Sequence, residues 1–261
     1  MNKTYLPIKL ALAALSISAY QASAQETVRI GTEGAYPPFN YFTADGQLAG
    51  FDIDIGKAIC ADMGVQCEFI AQDWDGIIPA LLARKSDAII AAMTITPARE
   101  KKVAFTTPYA MVPQRFVMSK EREIDPSEKG MDGIVVGVQR ATVGDQYLSH
   151  AYPNIELRRY NTFDEAFSDL ISGRLDTVFG GAIGLRSGFL DTEDGQDFHF
   201  TGPSYTEPKW FGKGVGIAVR KQDKDLQALL NKGLEAVIVN GTHKKIASKY
   251  FSYDIYNVDG M

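Results

Sequence analysis

The chain has 261 residues, 45% of them hydrophobic, 23% charged and 11% aromatic, which excludes a disordered tail and leaves room for one large domain or two modest ones. A formal charge of −5 carries none of the electrostatic footprint of a nucleic-acid partner. Two cysteines and three dispersed histidines (His150, His199 and His243) exclude a four-cysteine zinc site and leave little for any metal centre.

The first 24 residues read as a cleaved secretory signal. Lys3 and Lys9 open it, residues 10–19 form a short apolar run, and Ala22-Ser23-Ala24 supplies the small residues of a cleavage site. The run is too short to span a bilayer of about 30 Å. Cleavage after Ala24 leaves 237 of the 261 residues and moves the charge from −5 to −7, because Lys3 and Lys9 are lost. The expected compartment after export is oxidising.

Residues 27–31 read as a strand, followed by a Pro/Gly loop over 34–38. Residues 51–63 place Ile55, Ile59 and Met63 at helical spacing, with Gly64 as the stop and 65–70 as the next strand. Cys60 and Cys67 thus sit at a helix end and a strand start, where a bridge across one turn is reasonable. Two free buried thiols are the alternative. A helix over 74–83 and short strands over 87–92 and 103–106 complete a first series.

A second series follows Met111: strands over 134–138 and 155–158, and a helix opened by the capping box Thr162-Phe163-Asp164-Glu165. A strand over 175–179 and one over 214–219 come next. A long helix then carries Leu226, Leu229, Leu230, Leu234 and Val237, and a short last helix carries Ile246 and Tyr250. No internal repeat is visible. Strands alternating with helices mean α/β architecture with largely parallel pairing, in two lobes of about 100 residues whose strand-end loops face a cleft.

No nucleophile elbow, zinc-protease helix or P-loop is present, and Gly212-Lys213-Gly214-Val215-Gly216 lacks the spacing of a dinucleotide turn, so no cofactor is expected. Residues 94–99 bring Thr94, Thr96, helix-start amides and Arg99 together, which suits a carboxylate. Arg99 pairing with a surface acid such as Glu100 is the alternative. Glu33 and Tyr36 at the first strand's end suit a cationic group, or Glu33 is a solvated loop acid. Trp74 stacks on a ligand or packs in the core. Gln139, Arg140 and Thr142 offer amides and a hydroxyl from the other series, with the role of Arg140 open.

Together the segments IGTEGAYPPFNY (30–41), GFDIDIGKAIC (50–60), WDGIIPALLARKSDAIIAAMTITPARE (74–100), VAFTTPY (103–109), GVQRATVG (137–144) and SGRLDTVFGG (172–181) resemble family 3 extracellular solute-binding proteins, the periplasmic receptors of polar amino-acid ABC importers. The resemblance spans essentially the whole mature chain. It is closest to the branch for histidine, lysine, arginine and ornithine and to the octopine and nopaline receptors. It implies a two-lobed periplasmic-binding-protein fold (type II) with the ligand cleft between the lobes. Lobe 1 is expected from residues 25–111 plus 204–261 and lobe 2 from 112–203. The hinges fall near Met111-Val112-Pro113 and Gly202-Pro203-Ser204.

By the same resemblance Arg99 and Thr94 grip the ligand carboxylate, Thr142 and neighbouring amides contribute from lobe 2, Tyr36 and Trp74 sandwich the side chain, and Glu33 meets a basic group. The Cys60/Cys67 pair matches that branch's disulfide. Two departures from the pattern stand out: Gly181 stands where receptors for free amino acids usually carry aspartate, and Ala91 and Ala92 replace small hydroxyl residues. Ala91-Ala92-Met93 resembles the opine receptors. The implied ligand lacks a free primary α-ammonium, as an opine does, with glycine leaving space for its second carboxylate. The implied partners are a small amino acid or opine and an inner-membrane ABC permease, with the receptor a monomer and not an enzyme. An enzyme of the cyclohexadienyl or arogenate dehydratase type, or a soluble ligand sensor, are the competing expectations.

Overall fold

The computed structural model describes residues 26–123 and 125–256, together with Met1; the rest of the expected signal lies outside these residues. β1 (Thr27–Thr32) buries Val28 and Ile30 at alternate positions. Three short strands, β2 (Ala35–Tyr36), β3 (Asn40–Phe42) and β4 (Leu48–Ala49), fold back as a small antiparallel sheet that the sequence pattern did not disclose. α1 (Phe51–Met63) buries Ile55 and Ile59 and ends on Gly64, whose φ of 69° is the left-handed cap that glycine supplies without strain. Cys60 and Cys67 are disulfide-bonded with Cα atoms 6.0 Å apart, tying the end of α1 to the start of β5 (Gln66–Ala71).

A single 3-10 turn at Trp74–Gly76 leads into α2 (Ile77–Leu82), then β6 (Ala88–Ile89), α3 (Pro97–Glu100) and β7 (Ala104–Phe105). The chain then crosses to a second body: β8 (Gln114–Ser119), β9 (Val135–Gln139), α4 (Val143–Ala151), β10 (Glu156–Tyr160), α5 (Phe163–Ile171), β11 (Thr177–Gly181), α6 (Ala182–Leu185), β12 (Phe198–Tyr205) and α7 (Pro208–Phe211). It returns as β13 (Ala218–Val219), α8 (Lys224–Val239) and α9 (Thr242–Tyr250). The Thr162 hydroxyl caps α5 by accepting from Glu165 N–H, while the Glu165 carboxylate takes the Asn161 amide.

Two five-stranded sheets result, ordered β5-β1-β6-β13-β7 and β10-β9-β11-β8-β12. Four strands of each run in the same direction; β13 and β8 run antiparallel to both their neighbours. The expectation of largely parallel pairing therefore holds only for the first three strands of each sheet. The fourth strand is inserted by the segment arriving from the other body, and it enters in the opposite sense. The strands expected over 87–92, 103–106 and 214–219 shrink to two residues each. Here side chains interrupt the ladder: the Ile217 amide donates to the Thr106 hydroxyl rather than to a strand carbonyl.

Both sheets are covered on two faces. Val28, Ile30, Ile55, Ile59 and Leu234 pack between the first sheet, α1 and α8, with Ile77, Leu81 and Ile89 on its other face. Phe116, Val136, Phe179 and Tyr205 form one core of the second sheet, and Phe167, Leu170 and Phe189 the other. Gly202-Pro203-Ser204 lies inside β12, at a register irregularity. Tyr205 still pairs with Gln114, and Tyr205 and Phe211 stay buried in the second sheet's core. Among the described residues no helix is long and apolar enough to cross a membrane.

Candidate functional site

The loops leaving β1, β6, β9 and β11 meet around one cavity. Its walls include Glu33, Tyr36, Trp74, Ala91, Ala92, Thr94 and Arg99 from the first body, and Gln139, Thr142, Val143, Phe163 and Gly181 from the second. Val112 and Gln114, on the crossing segment, close it. Clefts at strand ends are the usual binding place in α/β sheets.

Arg99 sits in α3, whose first turn is fixed by Thr96: the Thr96 hydroxyl accepts from Arg99 N–H at 3.3 Å. The guanidinium is 7% exposed, donates to Thr94 O at 3.0 Å and lies 5.1 Å from the Trp74 ring centre. Burial alone lowers its pKa to about 10. Among the described residues no carboxylate pairs with it, although Arg29, Arg122, Arg158 and Arg220 all hold acids. An arginine paired with Glu100 is thereby excluded: Glu100 is exposed and Arg99 faces the cavity. Holding an unpaired guanidinium in such a place is costly unless an anion arrives.

Glu33 is also buried, at 9% exposure, and is the one acid among the described residues lining the cavity. Its carboxylate accepts from the Gln139 side-chain amide, which also donates to Asn161 O at 2.9 Å. Burial raises its pKa from 4.5 to about 7, offset by the Gln139 bond and reinforced by the charges of Asp73 and Asp164. Glu33 is thus not a solvated loop acid. The Glu33–Gln139 bond also joins the two bodies. Arg140 does so as well, its guanidinium 3.5 Å from Asp75; both side chains are about two-fifths exposed, so this pair is worth under about 1 kcal/mol.

Tyr36 stacks on Phe39 at 5.6 Å and faces Phe163 at 6.0 Å, and burial pushes its hydroxyl well above the usual phenol range. Trp74 lines the cavity and also packs against the core that holds Ile77 and Leu81. Thr142 is the N-cap of α4: its hydroxyl accepts from Asp145 N–H and donates to Gln139 O at 2.7 Å. Its oxygen is already engaged, so what the second body offers beside it is the start of α4.

Gly181 does not leave open space. A Cβ there would fall 2.2 Å from the Tyr36 hydroxyl and 2.8 Å from Val112, and Tyr36 donates to Gly181 O at 3.5 Å. The expectation that this glycine makes room for a second ligand carboxylate is corrected: glycine is there because Tyr36 fills the position. Met93 is the other correction. It is fully buried among Ile77, Leu81 and Ile89, and no part of it lines the cavity. Ala91 and Ala92 precede it, and the backbone turns at Ala92, with φ 45°, so that the next side chain points into the core.

Sequence reasoning missed Val112, Gln114, Val143 and Phe163. Phe163 had a readable signal: it lies three residues past the end of β10, as Trp74 lies three past the end of β5, and the two strands hold the same place in their sheets.

The family model for bacterial extracellular solute-binding proteins, family 3, matches residues 28–253. The chain belongs to this family. It is 46% identical over 258 residues to an L-arginine-binding protein of Pseudomonas aeruginosa, covering 98% of this chain and 99% of that one. It is 37% identical to the histidine-binding periplasmic protein of Escherichia coli, with the same coverage. The octopine-binding periplasmic protein of Rhizobium meliloti is 36% identical, covering 93% and 96%.

Among solved structures, a Salmonella typhimurium periplasmic binding protein with high arginine specificity superposes with a TM-score of 0.81 at 32% identity, over 87% of this chain and all of that one. An ancestral amino-acid-binding protein, a precursor of cyclohexadienyl dehydratase, gives 0.76 at 31% identity over 87% and 96%. The two sheets are the two lobes of a periplasmic-binding-protein fold.

Proposed function

We propose that this family member is the periplasmic substrate-binding component of an ABC importer and closes on an amino acid with a cationic side chain. The observation that carries this reading is the buried Arg99 guanidinium without an acid partner, sharing one cavity with the buried Glu33. The ligand's carboxylate lies on Arg99 in two parallel hydrogen bonds. Its cationic end displaces the Gln139 amide from Glu33, between the rings of Tyr36 and Phe163. Asp73 and Asp164 add negative potential at that end. The L-arginine- and histidine-binding relatives support the ligand class.

Closure follows from the ligand's greater affinity for the joined lobes. The proposed lobes are residues 26–111 with the returning segment, and 112 to about 211. The second crossing lies near Gly212–Gly214 rather than at 202–204, since Phe211 belongs to the second core. The protein acts as a monomer after export. No turnover is required of it. An arginine-derived opine of the octopine or nopaline type is a second reading, favoured by the absence of an acid at Gly181, Ala91 and Ala92.

Calorimetry with arginine, histidine, octopine and nopaline on refolded, ligand-stripped protein decides. Binding of arginine or histidine supports the first reading and binding of an opine alone the second. Binding of none of the four overturns both.

A further inference from the structure

Below the cavity floor, five groups form a chain of hydrogen bonds that ends on one carboxylate. Asp52, the second residue of α1, is fully buried. Its Oδ1 accepts from the Tyr109 hydroxyl at 2.7 Å and its Oδ2 from the Asn40 side-chain amide at 2.8 Å. Each donor is in turn tied to a cavity loop. The Asn40 side-chain oxygen accepts from Gly34 N–H at 2.8 Å, next to Glu33. The Tyr109 oxygen accepts from Ala92 N–H at 3.2 Å, between Ala91 and Thr94. Every hydrogen along both arms points toward Asp52, so the bonds polarise one another in the same sense.

The carboxylate has no cationic partner among the described residues, and burial raises its pKa to about 6 against the pull of its two side-chain donors. A buried acid of this kind is expensive, and an apolar residue would serve a core at less cost. What only a carboxylate does is accept from two donors at once. An amide would turn an NH₂ group against one of them. The Ala92 arm also ends on strained backbone, since Ala92 holds a φ of 45°, which persists only where the surroundings fix it.

We propose that Asp52 is a positioning residue that yokes the Glu33 loop to the Ala91–Thr94 loop and thereby sets the separation between the cationic and carboxylate ends of the ligand site. The consequence for ligands rests on the function proposed above; the coupling of the two loops does not. A fixed separation selects ligand length, so arginine and the shorter ornithine would be told apart by it.

Tyr109→Phe removes one hydroxyl on the Ala92 arm and touches nothing on the Gly34 arm. In ligand-free protein, amide hydrogen exchange is expected to quicken at Gly34 as well as at Ala92, by about fivefold or more. Unchanged exchange at Gly34 with quickened exchange at Ala92 overturns the yoke. Asp52→Asn, closer in shape, serves the same comparison if the first variant does not fold.

The ratio of arginine to ornithine dissociation constants is the second measurement. It is expected to change by about tenfold in either variant. A loss shared equally by both ligands, accompanied by a lower melting temperature, reads as a packing defect and overturns the selectivity claim. If the wild-type protein binds neither amino acid, the selectivity claim is overturned, and the exchange result alone judges Asp52.

Discussion

Ionised Glu33 opposes closure of the ligand-free lobes. In the joined arrangement its carboxylate is buried and its pKa stands near 7, against an ordinary 4.5. Separated lobes return it to water. Closure therefore takes up a proton between pH 4.5 and 7, so it is favoured as pH falls through that window. Above pH 7 the charge penalises the closed form by about 3 kcal/mol, at roughly 1.4 kcal/mol per pH unit, a shift of about two orders of magnitude in the open-to-closed ratio. Glu33→Gln keeps an oxygen for the Gln139 amide and removes the charge. The expected result, read by energy transfer between dyes on the two lobes of ligand-stripped protein, is a pH-independent closed-ward shift in the variant. The wild type is expected to open between pH 5 and pH 8. A cationic ligand restores the balance in the wild type only, so its dissociation constant should rise as pH drops below 7 and lose that dependence in Glu33→Gln. Identical lobe distances for both proteins at pH 8 would refute the reasoning.

Arg99→Ala removes the carboxylate anchor and is expected to weaken ligand binding by about 2–5 kcal/mol, measured by calorimetry, without lowering the melting temperature of ligand-free protein, because a buried unpaired cation is removed with it. Gly181→Ala drives a methyl against the Tyr36 hydroxyl and should cost about 1–3 kcal/mol in urea unfolding; Tyr36→Phe in the same chain should recover part of that loss. Replacing Cys60 and Cys67 by alanine and serine opens a loop of seven-residue separation and should lower stability by about 2 kcal/mol, with ligand affinity unchanged.

Much of the site was legible because α/β chemistry gathers at strand ends, and the ends of β1, β6, β9 and β11 could be located from apolar runs bounded by glycine, proline and hydroxyl residues. What side chains do there was less legible. Thr142 lines the cavity as expected, but its hydroxyl also caps α4, which the sequence reading did not foresee. Gly181 looked like vacated space but is the seat of Tyr36. The Tyr36–Gly181 contact joins residues far apart in the chain, which periodicity cannot report. Met93 followed Ala91 and Ala92 in sequence, and one residue with positive φ was enough to send it into the core.

In the fold, the strands β8 and β12 escaped notice because β8 begins beside Pro113 and β12 contains Gly202 and Pro203, signals that read as connections. No internal repeat was visible in the sequence, yet Leu81–Leu82 with Asp87 in the first lobe and Leu170–Ile171 with Asp176 in the second occupy matching places. The Asp87 amide bonds to Arg29 O and the Asp176 amide to Val135 O, while both carboxylates accept a strand amide.

The borrowed strand of the first sheet has a consequence for how the molecule comes into being. β7 touches its sheet only through β13, more than a hundred residues downstream. A chain emerging from its amino terminus can therefore assemble β5, β1 and β6, but leaves β7 without a neighbour until the last fifth of the polypeptide arrives. The second sheet draws all five of its strands from residues 114–205 and closes sooner. Completion thus runs against the order of synthesis: the sheet that is begun first is the last to be finished.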